Sequence, residues 1–161
     1  MQAGRLALQL EDVDLAEVAK NAVEALAEDL HIAGCAVSQR TTPVVGRWDR
    51  SPLEQVVTNL LANALKFGAG KPIEVVVDRT DGIGRLTVID HGIGIPPDRL
   101  PHVFERFERA VSARRYGGLG LGLYIVRSVV SALGGSVRAA SAGTGTGATL
   151  VVELPCIGPP S

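Results

Sequence analysis

The chain is poor in cysteine, poor in aromatic residues and without an excess of either charge: two Cys, six aromatics, and 16 basic against 17 acidic side chains in 161 residues. Each shortage excludes something. Cys35 and Cys156 are too few for a disulfide framework and lack metal-ligand spacing, so they read as reduced thiols of a cytosolic protein. A net charge of −1 argues against nucleic acid and against an anionic membrane surface. No run approaches the roughly 18 consecutive apolar residues of a membrane span, and no signal peptide opens the chain. The expectation is a cytoplasmic domain that makes no membrane contact itself, whatever anchors a longer parent protein. With aromatics at 4% and apolar residues at 46%, Val, Leu and Ala must pack the core of a single domain.

Glycine is abundant, and its placement is informative. In Gly118-Leu119-Gly120-Leu121-Gly122-Leu123 alternate glycines let backbone come close to a ligand. A helix starting at Gly122 or Leu123 would aim free N–H groups and a positive dipole end at an anion. The spacing is neither that of a P-loop, since Gly70-Lys71 runs into Pro72, nor that of a Rossmann turn, since Leu123 stands where the third glycine belongs. A flexible linker is the plain alternative, although leucines fill the places where a linker carries Ser or Thr.

The pattern along the chain predicts an α+β two-layer sandwich. Asp14 can cap a helix from Leu15 to about Leu30. Residues 31–45 read as irregular chain and short strands. Ser51-Pro52-Leu53-Glu54 reads as a capping box opening a helix to about Phe67. Pro72 to Arg79 and Gly84 to Asp90 read as strands around a Thr80-Asp81-Gly82 turn. Residues 91–117 read as a long loop, the length expected of a lid. A helix after Gly122 and a hairpin, Ser136–Ala140 with Thr149–Leu154, complete a mixed, mostly antiparallel sheet covered on one face by helices.

Three sets of residues carry chemistry. On the capped helix Asn59, Asn63 and Lys66 fall at i, i+4 and i+7, off the buried stripe. Two amides and an amine on one row suit a polyphosphate with its Mg²⁺, which prefers hard oxygen ligands; a solvated helix face is the alternative. Asp90, ending a buried strand, can accept a hydrogen bond from an exocyclic amine and so favour adenine over guanine, with Gly92 and Gly94 letting the base pack on bare backbone; a turn-capping Asp fits equally well. In the loop, Phe104 and Phe107 can pin the lid, and Arg109, Arg114 or Arg115 can swing toward phosphates. At the tip of the last hairpin only Thr149, able to support Asp90 through water, is a candidate.

Taken together, these segments resemble the sensor histidine kinases of two-component systems. Residues 59–67 resemble their N box, 90–94 their G1 box, 104–109 their F box, 118–123 their G2 box and 145–149 their terminal glycine-threonine box, in the family's order over nearly the whole chain. The resemblance implies the Bergerat ATP-binding fold, shared with gyrase, a heat-shock chaperone and mismatch-repair ATPases, and the cofactors ATP and Mg²⁺. It implies that Asn63 coordinates the metal, that Asn59, Lys66 and Arg109 serve the phosphates and transfer, that Phe67 flanks the nucleotide, that Asp90 with Gly92 and Gly94 holds adenine, and that Gly118 through Leu123 wrap the triphosphate. The absence of a catalytic glutamate at Asn59 fits a kinase that spares ATP from water.

One departure matters. None of His31, His91 or His102 has the context of a phosphoacceptor. The expected parts are a connector over 1–12, an ATP-binding domain over 13–155 and a frayed tail over 156–161. The expected partners are a dimerisation domain bearing the acceptor histidine and a response-regulator receiver domain. A serine kinase of the anti-sigma-factor type and a non-catalytic nucleotide-docking module are the alternatives.

Overall fold

The computed structural model describes residues 8–105 and 122–159. The expectations placed on residues 1–7, on Phe107, Arg109, Arg114 and Arg115, and on Gly118, Leu119, Gly120 and Leu121 lie outside them.

Strand β1 (Glu11–Asp14) leads into α1 (Leu15–Ala25) and α2 (Ala27–Ala33); β2 (Val37–Thr41) and β3 (Val45–Trp48) precede α3 (Arg50–Phe67). Then come β4 (Ile73–Thr80), β5 (Ile83–Asp90), a 3-10 turn at Leu100–His102, α4 (Gly122–Ala132), β6 (Ser136–Ala140) and β7 (Ala148–Pro155). Five strands form one sheet in the order β2-β4-β5-β7-β6, and β1 pairs with β3 in a separate ribbon. Only β2–β4 is parallel; the other pairs of the sheet run antiparallel.

Alternation fixes which face is covered. Ile73, Val75 and Val77 on β4, Leu86 and Val88 on β5, and Leu150, Val152 and Leu154 on β7 are buried and meet the stripes of α1, α3 and α4. On the other face Arg85 and Arg138 each approach Glu153 at 2.9 Å, and Asp78 lies 3.7 Å from Arg85. The result is the expected α+β two-layer sandwich. Asp81 and Gly82, both at positive φ (51° and 77°), make the two-residue turn whose twist suits a hairpin.

Four local expectations need correction. The first helix breaks at Leu26 (φ −101°, ψ 8°); Leu30 on α2 is still buried, and no breaker residue announces the break. Ser51 does not cap α3. The helix starts two residues earlier than Pro52, at Arg50, with Asp49 at the N-cap position and no side-chain cap bond; Asp49 Oδ2 instead accepts the Gln9 N–H at 3.0 Å. The connector boundary at residue 12 falls within β1, whose Asp12 and Val13 pair with Arg47 and Gly46. The tail is tied down at its start. Trp48, fully buried, donates its indole N–H to the Pro155 carbonyl at 3.0 Å; Arg47 N–H reaches the Cys156 carbonyl and Cys156 N–H the Gly82 carbonyl, both at 2.9 Å.

Candidate functional site

Helix α3 supplies the central row. Leu53, Val56, Val57, Leu60, Leu61 and Ala64 are buried; this leaves Asn59 and Asn63 half-buried and Lys66 exposed along one edge. Asn59 to Phe67 spans about 12 Å of helix axis at 1.5 Å per residue, and each end of that span meets a different loop. At one end, Asn59 Nδ2 donates to the Gly122 carbonyl at 3.4 Å, so it touches α4. At the other end, the Phe67 carbonyl accepts the Ile93 N–H at 3.0 Å, which joins α3 to the segment after Asp90. Lys66 Nζ stands 6.0 Å from the centre of the Phe67 ring, at the outer range of a cation–π contact.

Asp90 is the one buried polar or charged residue among those described, 5% exposed. Burial, which disfavours the carboxylate, pushes its pKa above the ordinary value; the amides of Gly92 and Ala148 and the neighbouring His91 pull the other way. The Gly92 N–H donates to Asp90 Oδ1 at 2.9 Å, so one carboxylate oxygen is turned inward to its own loop.

The glycines after Asp90 are required by the chain's own backbone. A Cβ on Gly92 would strike the Phe67 carbonyl and the Gly68 backbone, and one on Gly94 (φ 73°) would strike the Gly143 carbonyl. Gly145 N–H to the Ile93 carbonyl (2.7 Å) and Gly147 N–H to the Gly92 carbonyl (3.1 Å) close the packing.

Thr149 is also displaced from its expected place. It pairs with Ile89, and Ala148 pairs with Asp90, so strand alternation sets Thr149 on the opposite face of the sheet from Asp90. The residue that sequence reasoning missed is Ser141, whose hydroxyl meets the backbone of Ile95, Gly143 and Gly147. Nothing in the sequence marks it, because a serine before a glycine-rich turn is ordinary.

Gly122 lies on α4, and among the described residues nothing comes within 4 Å of where its Cβ would stand. The Leu123 side chain packs on the core, leaving its amide as the group a ligand would use. Of the three histidines, His91 Nε2 lies 3.1 Å from Glu74 and His102 Nδ1 lies 3.0 Å from Glu105; His31 is exposed on α2. Among the described residues no group of three His, Cys, Asp or Glu side chains comes together to cage a metal. The α3 row offers two amide oxygens, those of Asn59 and Asn63, and an amide oxygen suits a hard cation that keeps water and phosphate as its other ligands. No helix among the described residues is long and apolar enough to cross a membrane.

This arrangement has known counterparts. Residues 48–157 match the family of histidine kinase-, DNA gyrase B- and HSP90-like ATPases, and the chain belongs to that family. Within it the similarity is to sensor histidine kinases. The histidine-protein kinase AfsQ2 of Streptomyces coelicolor is 38% identical over 95% of this chain and 28% of its own length. The sensor kinase TrcS of Mycobacterium tuberculosis is 39% identical over 93% of this chain and 30% of its own. Among solved structures, the mycobacterial sensor histidine kinase MprB superposes with a TM-score of 0.80 at 33% identity, covering 95% of this chain and 100% of that one. Full-length ShkA in complex with AMPPNP gives 0.83 at 28% identity, covering 97% of this chain and 33% of that one. The chain spans 11% to 32% of the length of the first relatives it matches.

Proposed function

We propose that this chain is the ATP-binding catalytic domain of a sensor histidine kinase. It binds Mg-ATP and donates the γ-phosphate to a histidine nitrogen of a dimerisation domain, from which an aspartate of a response-regulator receiver domain is then phosphorylated. The observation that carries this reading is the span of α3. One row of polar side chains runs from a contact with the start of α4, at Asn59, to a backbone bond with the Asp90 loop, at Phe67. A ligand laid along that row would meet amides and a helix N-terminus at its anionic end and a buried carboxylate at its other end. The ShkA complex with AMPPNP supports nucleotide binding at such an architecture.

In this reading Asn63 holds Mg²⁺, which neutralises phosphate charge when bound. Asn59, Lys66 and the amides of Gly118 through Leu123 hold the phosphates, and Arg109 reaches them from the lid. Phe67 flanks the nucleotide, and Asp90 accepts a hydrogen bond from the adenine amine. Positioning and charge neutralisation are the domain's contribution to transfer. The segment ahead of β1 connects to the dimerisation domain, and the domain works in the cytoplasm.

Calorimetric titration with Mg-ATP, followed by incubation with γ-labelled ATP alone and with a cognate dimerisation domain, tests this. The expected outcome is binding, little hydrolysis, no self-labelling, and acid-labile label on the partner. Acid-stable phosphoserine on a partner protein would point to the anti-sigma-factor type of kinase instead. No binding of Mg-ATP would leave only a docking role.

A further inference from the structure

We propose that Ser141 is a positioning residue for the base-reading end of the site; the inference rests on the ATP-binding reading above and names a part of the site that the sequence boxes leave out. A hydroxyl has one proton to give and two lone pairs to receive with, and Ser141 uses all three. Its Oγ accepts the Ile95 N–H at 3.0 Å and the Gly143 N–H at 3.2 Å. It donates to the Gly147 carbonyl at 2.7 Å. The Gly143 carbonyl, 3.3 Å away, is served instead by the Thr146 hydroxyl at 2.6 Å.

Those partners lie on both sides of Asp90. Gly147 (φ 78°) is packed so closely on the Asp90 carbonyl that a Cβ there would strike it, and its N–H holds the Gly92 carbonyl at 3.1 Å. Gly92 in turn donates to the Asp90 carboxylate at 2.9 Å. Ile95 closes the far end of the same loop. Between them, Ile93 is held by backbone alone, to Phe67 and Gly145. Among the described residues, Ser141 is therefore the side chain that clamps the Gly92–Ile95 segment to the 141–147 turn, and through Gly147 and Gly92 it sets where the Asp90 carboxylate points. Without the hydroxyl, the Ile95 N–H and the Gly147 carbonyl lose their partner, and the loop gains freedom beside the one buried carboxylate.

The test compares ATP and GTP binding, because adenine presents an amine where guanine presents a carbonyl. In the 161-residue chain, Ser141→Ala should weaken ATP about tenfold, the scale of one lost hydrogen bond near a buried site, and leave GTP nearly unchanged. Ser141→Thr, which keeps the hydroxyl, should restore the ratio. A merely structural role would lower the melting temperature and weaken both nucleotides together. If the unmodified chain fails to bind ATP at all, the functional reading falls. If it binds ATP and Ser141→Ala keeps the unmodified ATP-to-GTP ratio, this inference is overturned while the reading stands. Should Ser141→Ala not fold, amide exchange in the unmodified chain decides. Saturating ATP should slow exchange of the Ile95 and Gly143 amides about tenfold, a tightening that follows from ordering the loop; unchanged rates would overturn the inference.

Discussion

Asn59 donates from its side-chain amide to the carbonyl of Gly122, 3.4 Å away, so a residue in the middle of α3 touches α4. The bond is long and exposed, which makes it a weak support for the fold. Asn59→Ala should therefore shift the melting temperature little. It should slow phosphoryl transfer to a partner histidine by at least about tenfold, since about 1.4 kcal/mol of transition-state stabilisation corresponds to that factor. Single-turnover transfer and a melting curve on the same preparation check both halves.

Asp90 should oppose function and stability. Its folded pKa lies above the unfolded one, near 3.8, because burial disfavours the charge. The stability it contributes is complete below the unfolded value and is lost as the pH rises through the folded value. Near neutrality the buried charge is a cost, and Asp90→Asn removes it. The variant should bind no ATP yet melt no lower than the unmodified chain at neutral pH, with its advantage shrinking in acid. A lower melting temperature at neutral pH would contradict this.

Glu153 should behave in the opposite sense. Hydrogen bonds from Arg85 and then Arg138 hold its pKa below the ordinary 4.5. Its contribution is complete above that value and is lost as the pH falls through the folded value. Glu153→Gln should cost about 1 kcal/mol or less near neutrality, the scale of surface ion pairs, and nothing once Glu153 is protonated in both the folded and the unfolded state. Urea titrations at neutral and acid pH, at low and high salt, measure this.

Gly92→Ala should damage fold and site together. The added Cβ meets backbone, the Phe67 carbonyl and Gly68, and backbone cannot swing aside as a side chain can. Overpacking of this kind costs about 1–3 kcal/mol. The same displacement would part α3 from the Asp90 loop. Chemical denaturation and ATP titration should fall in parallel, in contrast to Asp90→Asn.

Trp48 is the largest fully buried side chain. Trp48→Phe keeps most of the apolar volume and loses only the indole bond, since the Pro155 carbonyl keeps the Gly158 N–H at 3.0 Å, at a cost of about 1 kcal/mol. Trp48→Ala should cost about 3–5 kcal/mol. Far-UV circular dichroism in urea orders the two.

The layers were legible because Val-rich alternation on β4 and β5 and the 3.6-residue stripes of α1, α3 and α4 each carry one period over many residues. The turn at Asp81-Gly82 was legible because both residues tolerate positive φ. What escaped was set by contacts distant in the chain. Asp49 displaced Ser51 at the start of α3, and its carboxylate is engaged by Gln9. Thr149 was misplaced because a one-residue shift in strand register moves a side chain to the other face, and register with Asp90 cannot be read from Thr149's neighbours. Gly92 and Gly94 were recognised as necessary, but for a ligand; their near contacts are Phe67, Gly68 and Gly143, the last about 50 residues away. The row Asn59, Asn63, Lys66 was legible because it lies on one helix.

Strand β7 follows β6 in the chain and yet lies between β5 and β6 in the sheet, and its last residue, Pro155, holds the Trp48 indole. Any chain that stops short of residue 148 therefore carries an open gap beside β5. The segments up to β6 cannot close a dry interior by themselves, and β7 is the keystone that completes the fold.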